Sequence, residues 1–395
     1  MFRGIRSIFK YYYRKARVTA REILGYPVLY NVNRVDEKDY NKRALLIYLV
    51  KPFLIKDDDP RFLLHQNLRQ CKQIASVLGE FGYVVDVADV KDRTFKPSKR
   101  YDLVISHRVD IEPEIFGDAL KIYLFTGINH IVHNQNVRRR FQMLYQRRRC
   151  LIPPYPIHTE NMPYVKGADA LVGFGNDFCR ETWREVFEGP IYTFNNYGFQ
   201  EIQFMFEDKD FNVARKNFLF FGSVDQVRKG LDLLLDIFPK HPELNLYICS
   251  RFEGEKEFCK CYASELWKTP NIHPIGWVTV LSQQFYELVR KCAYVILPTC
   301  SEGSVGSVVQ CMWGGLIPIV TKEATIDTED FGITLTNDSL EEIEKTVLEL
   351  AGLPEKWHRE HSIRTRRVAE EKYSEEAFIS RWREIISDIL TKWVR

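Results

Sequence analysis

The chain has 395 residues, 45% hydrophobic and 28% charged, a balance that excludes a disordered protein and allows two domains with separate cores. The formal net charge of +3 argues against a protein whose whole surface binds a polyanion. No apolar run approaches the roughly 18–20 residues of a membrane span, and Arg and Lys interrupt residues 1–21 too often for a secretory signal.

Short apolar runs bounded by turn residues predict strands through the first half of the chain. From about 66 to 81 apolar residues recur at helical spacing, and Gly82 stands where a helix-capping glycine is expected. This alternation of apolar strands and helices predicts an α/β domain around a parallel sheet covered on both faces. The predicted strands are 44–50, 83–88, 101–106, 121–125, 170–174 and 191–194.

The same pattern restarts at Asn217 after a polar connector. It predicts strands 218–221, 244–249, 272–275, 294–297 and 316–320, with helices 231–238 and 281–290. We therefore predict two facing Rossmann-like domains, with ligands bound beyond the carboxyl ends of the strands in the cleft between them. The predicted parts are a basic arm 1–30, a first domain 31–200, a linker 201–216, a second domain 217–373, and a C-terminal helix 374–395 expected to pack back on the first domain.

Neither the cysteines nor the cluster of aspartates has the spacing expected of metal ligands. The nine cysteines are scattered, and Cys259 and Cys261 form a lone C-x-C without further ligands, so we expect reduced thiols in a cytoplasmic enzyme. Residues 57–59 are three aspartates in a polar loop, which predicts solvated charge rather than a metal site.

Two basic clusters favour an anionic membrane surface or a phosphorylated acceptor, although solvated helix faces would explain each of them equally well. The modest net charge and the lack of a matching module argue against nucleic acid as a partner. The first cluster comprises Arg3, Arg6, Lys10, Arg14, Lys15, Arg17 and Arg21, and the second comprises Arg138, Arg139, Arg140, Arg147, Arg148 and Arg149.

The segment 297–320 carries the clearest chemical signal. A predicted strand ends at Pro298, and Ser301, Glu302 and Gly303 form a loop before a helix opened by Ser304, Val305 and Gly306. Small residues at a helix N-terminus let backbone N–H groups approach a phosphate. The Glu302 carboxylate can accept hydrogen bonds from sugar hydroxyls, and Gln310 lies eight positions on, on roughly the same helix face.

These residues resemble glycosyltransferase family 4, the retaining GT-B enzymes, whose donor site carries an E-x7-E motif followed by a G-x-P-V/I strand. Here Glu302, Gln310, Gly315 and Pro318 match that layout, with Gln in place of the second acid. The resemblance implies that Glu302 contacts the donor sugar, that Gln310 contacts the nucleotide ribose, and that residues 303–306 offer amides.

A second motif of the family, in which Arg and Lys neutralise the diphosphate, matches Gly222, Ser223 and Lys229. The family's arginine is Ser223 here, so Arg228 or Arg251 would have to supply the missing positive charge. The resemblance spans roughly residues 165–390, and earlier residues match only as a generic lobe.

Acceptor binding is expected in the first domain, where the family often places a histidine near the donor sugar. Capping and packing roles explain several of the candidates equally well. The candidates are His65, Asn67, His107, Thr126, Asn129, His130 and His133.

The resemblance implies a metal-independent transferase, without a cofactor, that moves a sugar from a nucleotide-sugar to a hydroxyl acceptor with retention. Given the basic clusters, we expect the acceptor to be a cell-envelope or lipid-linked glycan. We expect the protein to be cytoplasmic, either free or bound peripherally to the inner face of the membrane. The alternative is a GT-B protein that binds sugar nucleotides or glycans with weak or no turnover, which the departures at Ser223 and Gln310 favour.

Overall fold

The computed structural model describes residues 27–63, 66–154, 157–204 and 206–393. It is an α/β structure with two six-stranded sheets. The first sheet has the order β2-β1-β3-β4-β5-β6. Its strands are β1 (Lys42–Tyr48), β2 (Tyr83–Asp89), β3 (Leu103–Ser106), β4 (Leu120–Phe125), β5 (Ala170–Phe174) and β6 (Ile191–Phe194).

The second sheet has the order β12-β11-β10-β7-β8-β9, and its strands pair in parallel. Its central strands are buried on both faces, as their continuous apolar sequences predict. The strands are β7 (Asn217–Phe221), β8 (Asn245–Cys249), β9 (Ile272–Pro274), β10 (Tyr294–Leu297), β11 (Ile317–Thr321) and β12 (Ile333–Leu335).

Helices connect the parallel strands. The first of them ends where the sequence predicts. The first helix begins at Asn67 and ends at Glu80, and Gly82 follows with a left-handed φ of 82°. The helices are α1 (Asn67–Glu80), α2 (His130–Arg148), α3 (Pro163–Lys166), α4 (Asp177–Arg184), α5 (Phe211–Ala214), α6 (Leu231–Ile237), α7 (Lys256–Cys261), α8 (Ala263–Lys268), α9 (Gln283–Lys291), α10 (Gly306–Trp313), α11 (Leu340–Gly352), α12 (Glu355–Lys372) and α13 (Glu375–Lys392).

The chain forms two compact units. One comprises Met1–Leu124, Asn161–Leu171 and Ile389–Arg395, and the other comprises Phe125–Glu160 and Val172–Asp388. The second unit contains α2 together with the whole second sheet. The domain boundaries proposed from the sequence stay a prediction.

The C-terminal helix α13 is anchored by aromatic contacts inside the second unit. The ring centroids of Phe378 and Trp382 lie 5.4 and 5.2 Å from that of Phe194 on β6. Both side chains are almost fully buried. This helix therefore packs against the last strand of the first sheet.

One expectation about the cysteines is wrong. Cys150, just after α2, forms a disulfide with Cys261 at the end of α7, and the other seven cysteines are free. Because 111 residues separate the two partners, the spacing of the cysteines could not predict the pair. Within the described residues, no helix combines the length and the apolar character needed to cross a bilayer.

Candidate functional site

Hydrogen bonds to the segment before α6 hold the loop between β10 and α10 in place. The Cys300 N–H and the Thr299 hydroxyl donate to the Arg228 carbonyl oxygen at 2.9 and 3.2 Å. The Thr321 hydroxyl of β11 donates to the Thr299 carbonyl oxygen at 2.5 Å. These bonds set Arg228 and Lys229 directly beside Glu302.

Glu302 is held by two cations. Its Oε1 atom accepts a hydrogen bond from Arg228 at 2.9 Å and contacts the Lys229 ammonium. Arg228 is also paired with Asp225 at 3.0 Å. The side chains of Lys229 and Glu302 are only 7% and 18% exposed, so water screens this cluster weakly.

The charges in this cluster shift the proton affinities of both partners. Burial alone raises the pKa of Glu302, but the charges of Arg228 and Lys229 outweigh burial and lower it to about 2. Burial lowers the pKa of Lys229, an effect that the Glu302 carboxylate opposes only in part. Glu302 is therefore ionised at neutral pH, beside positive charge held in a largely dry site.

Glycines allow the Glu302 loop to lie against the chain that follows β4. A Cβ atom on Gly303 would lie 2.2 Å from the Thr126 carbonyl oxygen, and one on Gly127 would lie 3.1 Å from the Glu302 carbonyl oxygen. The Ile128 N–H donates to that same Glu302 oxygen at 3.3 Å. A side chain at position 303 would therefore push the loop away from this support.

The amides at the start of α10 are partly occupied. The Ser304 N–H donates to the Thr325 hydroxyl, and the Val305 N–H donates to the Ala324 carbonyl oxygen at 3.3 Å. The Ser304 hydroxyl accepts from the Asn196 N–H at 2.7 Å. Two of the four amides expected to bind phosphate, those of Ser304 and Val305, are thus used inside the protein.

Gln310 does not reach the Glu302 cluster. Its side chain is 2% exposed, and its Oε1 atom accepts a hydrogen bond from the Phe199 N–H at 2.9 Å. Its Nε2 atom is buried and has no hydrogen-bond partner in the part of the chain that the structure describes. The structure therefore places Gln310 inside the protein, under the chain that leaves β6, and does not present it to a ribose.

Of the two arginines expected to replace the family's arginine, Arg228 is the one that the structure brings to Glu302. Ser223 is exposed, and its carbonyl oxygen accepts from the Arg251 N–H at 2.8 Å. The Arg251 guanidinium lies 4.0 Å from the centre of the Trp277 ring instead. Gly222 packs on the stem of Lys229, where an added Cβ would lie 3.3 Å from Cδ.

Helix α2 brings a histidine to the same loop. His133 Nδ1 and the Ser301 hydroxyl share a hydrogen bond of 2.6 Å, and Asn136 donates to the Cys300 carbonyl oxygen at 3.0 Å. The ring of His158 lies 4.3 Å from that of His133 and 4.8 Å from that of His130. His133 is therefore the acceptor-side candidate that the structure joins to the Glu302 loop.

Sequence reasoning missed three residues of this neighbourhood, namely Asp225, Asn136 and His158. Asn136 lies one helical turn after His133, so the i,i+3 spacing on α2 was a usable signal. Asp225 and His158 come from loops, and no sequence pattern marks them.

Three of the other acceptor-side candidates, Asn129, His130 and His107, have structural partners. Asn129 caps α2, where its Oδ1 atom accepts from the Ile131 N–H at 2.7 Å, and His130 Nδ1 donates to the Thr159 carbonyl oxygen at 3.2 Å. In the first unit, His107 Nδ1 donates to the Leu124 carbonyl oxygen at 2.8 Å, and burial lowers its pKa. Thr126 is exposed beside Gly303, Asn67 opens α1, and His65 lies outside the described residues.

The second basic cluster is mostly an internal ion-pair network. Five of its six arginines are paired with acids of the second unit, most of which lie far along the chain, so the sequence could not show the pairs. The pairs are Arg138 with Glu160, Arg139 and Arg140 with Asp338, Arg147 with Asp232 and Asp236, and Arg148 with Asp236 and Glu265.

This pairing leaves the second cluster without the continuous free positive surface that anionic lipid would need, and membrane binding stays a prediction. Arg140 is fully buried. Arg138 and Arg149 are exposed, the first 3.8 Å from Glu160 and the second over the Tyr145 ring. The first cluster, Arg3 to Arg21, lies outside the described residues.

Among the described residues, no group of three or more His, Cys, Asp or Glu side chains is arranged to hold a metal ion. The expectation that the protein uses neither a metal nor a cofactor stays a prediction.

Comparison with known proteins agrees with the predicted fold and family. Residues 215–352 match the family model described as Glycosyl transferases group 1. No protein of curated function matches the chain in sequence. The match covers β7 through α11, the part of the chain that contains Arg228, Lys229 and Glu302.

Solved structures with the same fold cover nearly the whole chain. Sucrose-phosphate synthase from Thermosynechococcus elongatus is 11% identical, with a TM-score of 0.58 over 89% of this chain and 100% of that one. A glycosyltransferase from Rickettsia africae is 13% identical, with a TM-score of 0.56 over 89% and 99%. HepE from Anabaena, solved with UDP and glucose, is 10% identical, with a TM-score of 0.53 over 89% and 100%. The predicted GT-B fold is confirmed.

Proposed function

We propose that this GT-B chain, whose residues 215–352 match the group 1 glycosyl transferases, transfers a sugar from a nucleotide-sugar donor to a hydroxyl acceptor. The observation that carries the proposal is the cluster of Glu302 with Arg228 and Lys229 at the carboxyl end of β10. Ligands of open α/β sheets bind beyond the carboxyl ends of the strands, so this cluster lies where a donor is expected.

The chemistry follows from the two cations. During transfer, the bond between the anomeric carbon and the diphosphate oxygen breaks, and the electron pair leaves with the nucleoside diphosphate. Lys229 and Arg228 stabilise the developing negative charge, which is worth more in a site that excludes water. The acceptor oxygen forms the new bond to the anomeric carbon, and its proton passes to the departing phosphate.

We propose that transfer proceeds with retention and without a metal ion. Support for retention comes from the family resemblance of the Glu302 segment, in which the carboxylate contacts the donor sugar and not the acceptor. In this arrangement Lys229 and Arg228 supply the positive charge that a metal ion would otherwise bring to the diphosphate.

The acceptor is proposed only as a hydroxyl compound. A cell-envelope or lipid-linked glycan and a peripheral membrane location depended on the two basic clusters. The internal pairing of Arg139, Arg140, Arg147 and Arg148 removes the support of the second cluster.

The test is donor turnover by the purified protein with a panel of UDP-, GDP- and ADP-sugars. Nucleoside diphosphate release is followed by chromatography, and the configuration of the product by proton NMR. Lys229→Met should reduce turnover by about 10²–10³-fold, the usual effect of removing one group that stabilises transition-state charge. The control Lys256→Met removes an exposed lysine and should leave turnover unchanged. Full turnover by Lys229→Met would overturn the proposal.

A second candidate is a protein that binds a sugar nucleotide without turning it over. The buried position of Gln310 and the absence of the family's arginine at Ser223 favour it. A donor that binds tightly in calorimetry, yet is neither hydrolysed nor transferred to any acceptor offered, would support this candidate.

A further inference from the structure

A cavity of about 320 Å³ lies in the second unit, at the carboxyl ends of β5 and β6. Its volume is within the range of small-molecule sites, roughly 300–1,000 Å³. Its charged lining residues are Asp177, Asp327, Lys372 and Arg381, and its neutral polar ones are Asn176, Thr193 and Asn195. The cavity does not include Glu302, Arg228 or Lys229, so it is separate from the proposed donor cluster.

The charges around the cavity are already compensated. Lys372 is paired with Glu329 at 2.5 Å, and Arg381 with Glu384 at 2.9 Å. On the acidic side, Asp327 accepts a hydrogen bond from Asn176 at 2.6 Å, and Asp177 is paired with Arg180 at 3.0 Å. An anion would have to break a pair with Lys372 or Arg381, and a cation would meet both of them. The lining therefore suits a neutral ligand.

Two side chains of the cavity have unused hydrogen-bonding capacity. Among the described residues, neither the Asn195 amide nor the Thr193 hydroxyl has a hydrogen-bond partner, and both residues are half-buried. The amide both donates and accepts, and so does the hydroxyl. Phe194 and Phe378 also line the cavity but are almost fully buried, so a ligand would meet mainly the polar groups. Side chains that both donate and accept match the hydroxyl groups of a carbohydrate, each of which also donates and accepts.

Residues next to the cavity lining are hydrogen-bonded to the Glu302 loop. Asn196, next to Asn195, donates its backbone N–H to the Ser304 hydroxyl at 2.7 Å. On the other side, the Ser304 N–H donates to Thr325, two residues before Asp327. A compound held in the cavity is therefore adjacent to the turn that positions Glu302.

We propose that this cavity is the acceptor site, and that the acceptor is a neutral compound with several hydroxyl groups. The proposal rests on the proposed function, because only a glycosyl transfer requires a second, hydroxyl-bearing substrate beside the donor. Asn195 and Thr193 would bind acceptor hydroxyls, while Asn176 and Asp327 would stay paired as the outer wall.

The experiment is saturation-transfer NMR with the full chain and a panel of neutral mono- and disaccharides, with glucose 6-phosphate and inorganic phosphate as charged comparators. At least one neutral sugar should bind at millimolar concentration. Asn195→Ala should weaken that binding about tenfold, as expected for one hydrogen bond, and Asn195→Ala with Thr193→Val should weaken it further. Gln284→Ala removes an exposed amide of α9 and should change the affinity less than twofold.

Three results would overturn the proposal: no neutral sugar binds, the charged comparators alone bind, or binding is lost in Lys229→Met but kept in Asn195→Ala. The last result would place the sugar in the donor site. UDP affinity is measured in parallel for every protein and should stay within twofold of wild type in Asn195→Ala. Failure of the wild type to bind any nucleotide would count against the proposed function instead, so the two failures are distinguishable.

Discussion

Replacing Glu302 with Gln tests the charge cluster in the absence of any ligand. The two cations lower the pKa of Glu302 from the usual 4.5 to about 2, which at 1.36 kcal/mol per unit corresponds to about 3 kcal/mol of stabilisation. Loss of one partner from a buried ion pair typically costs about 3–5 kcal/mol, which agrees with this magnitude. We therefore expect Glu302→Gln to fold, with a free energy of unfolding at neutral pH lower by about 3 kcal/mol.

The pH dependence gives the sign of the effect. Because the folded pKa lies below the unfolded value of 4.5, the stabilisation is fully present above pH 4.5 and is lost as the pH falls through about 2. The difference between wild type and variant should stay constant from pH 7 to 5 and shrink below 4.5, measured by urea denaturation. UDP should raise the melting temperature of Glu302→Gln more than that of wild type, because the diphosphate supplies the missing negative charge to the cations.

The matched control is Glu253→Gln, which removes an exposed carboxylate of the same unit that has no ion pair among the described residues. This change should cost less than about 0.5 kcal/mol. If Glu302→Gln unfolds at the same urea concentration as wild type, or if the difference does not depend on pH, the cluster does not hold Glu302 as described.

Three further predictions use the same unit. Gly303→Ala should weaken donor binding or turnover by about a hundredfold, because its Cβ would lie 2.2 Å from a backbone oxygen and displace the loop. Gly254→Ala, with nothing within 4 Å of its Cβ, should have no effect in the same assay. Cys150→Ser should lower the free energy of unfolding by about 2–4 kcal/mol, whereas loss of the free thiol in Cys259→Ser should change it by less than about 0.5 kcal/mol. Because burial lowers the pKa of Lys229, turnover should decline in alkaline solution below pH 10.5; a profile that is flat up to that pH would contradict its role.

The sequence predicts well those parts of the molecule that depend on local patterns. All strands of both sheets except β12, the helix α1 and the start of α10 follow from runs of apolar residues and their turn signals. The placement of Glu302 at the end of β10 follows from the same local order of strand, loop and helix. Lys229 was found through a short motif that ends in Gly230, which adopts the left-handed φ of 83° before α6.

Features that depend on distant partners could not be predicted in this way. The bond between His133 and Ser301 joins residues 168 positions apart, and the Cys150–Cys261 disulfide joins residues 111 positions apart. Gln310 has the helical spacing expected of a ligand contact, but tertiary packing directs its side chain to the Phe199 amide. An arginine run has the same appearance in sequence whether its partners are lipid phosphates or carboxylates elsewhere in the chain.

Helix α2 also determines when the second unit can be completed during synthesis. Arg139 and Arg140 find their carboxylate, Asp338, 199 and 198 residues later in the chain. At roughly 5–20 residues per second, the ribosome reaches that aspartate about 10–40 s after it has made the helix. A nascent chain shorter than 338 residues therefore lacks the carboxylate that pairs with Arg139 and Arg140, while Arg147 and Arg148 can already pair with Asp232, Asp236 and Glu265.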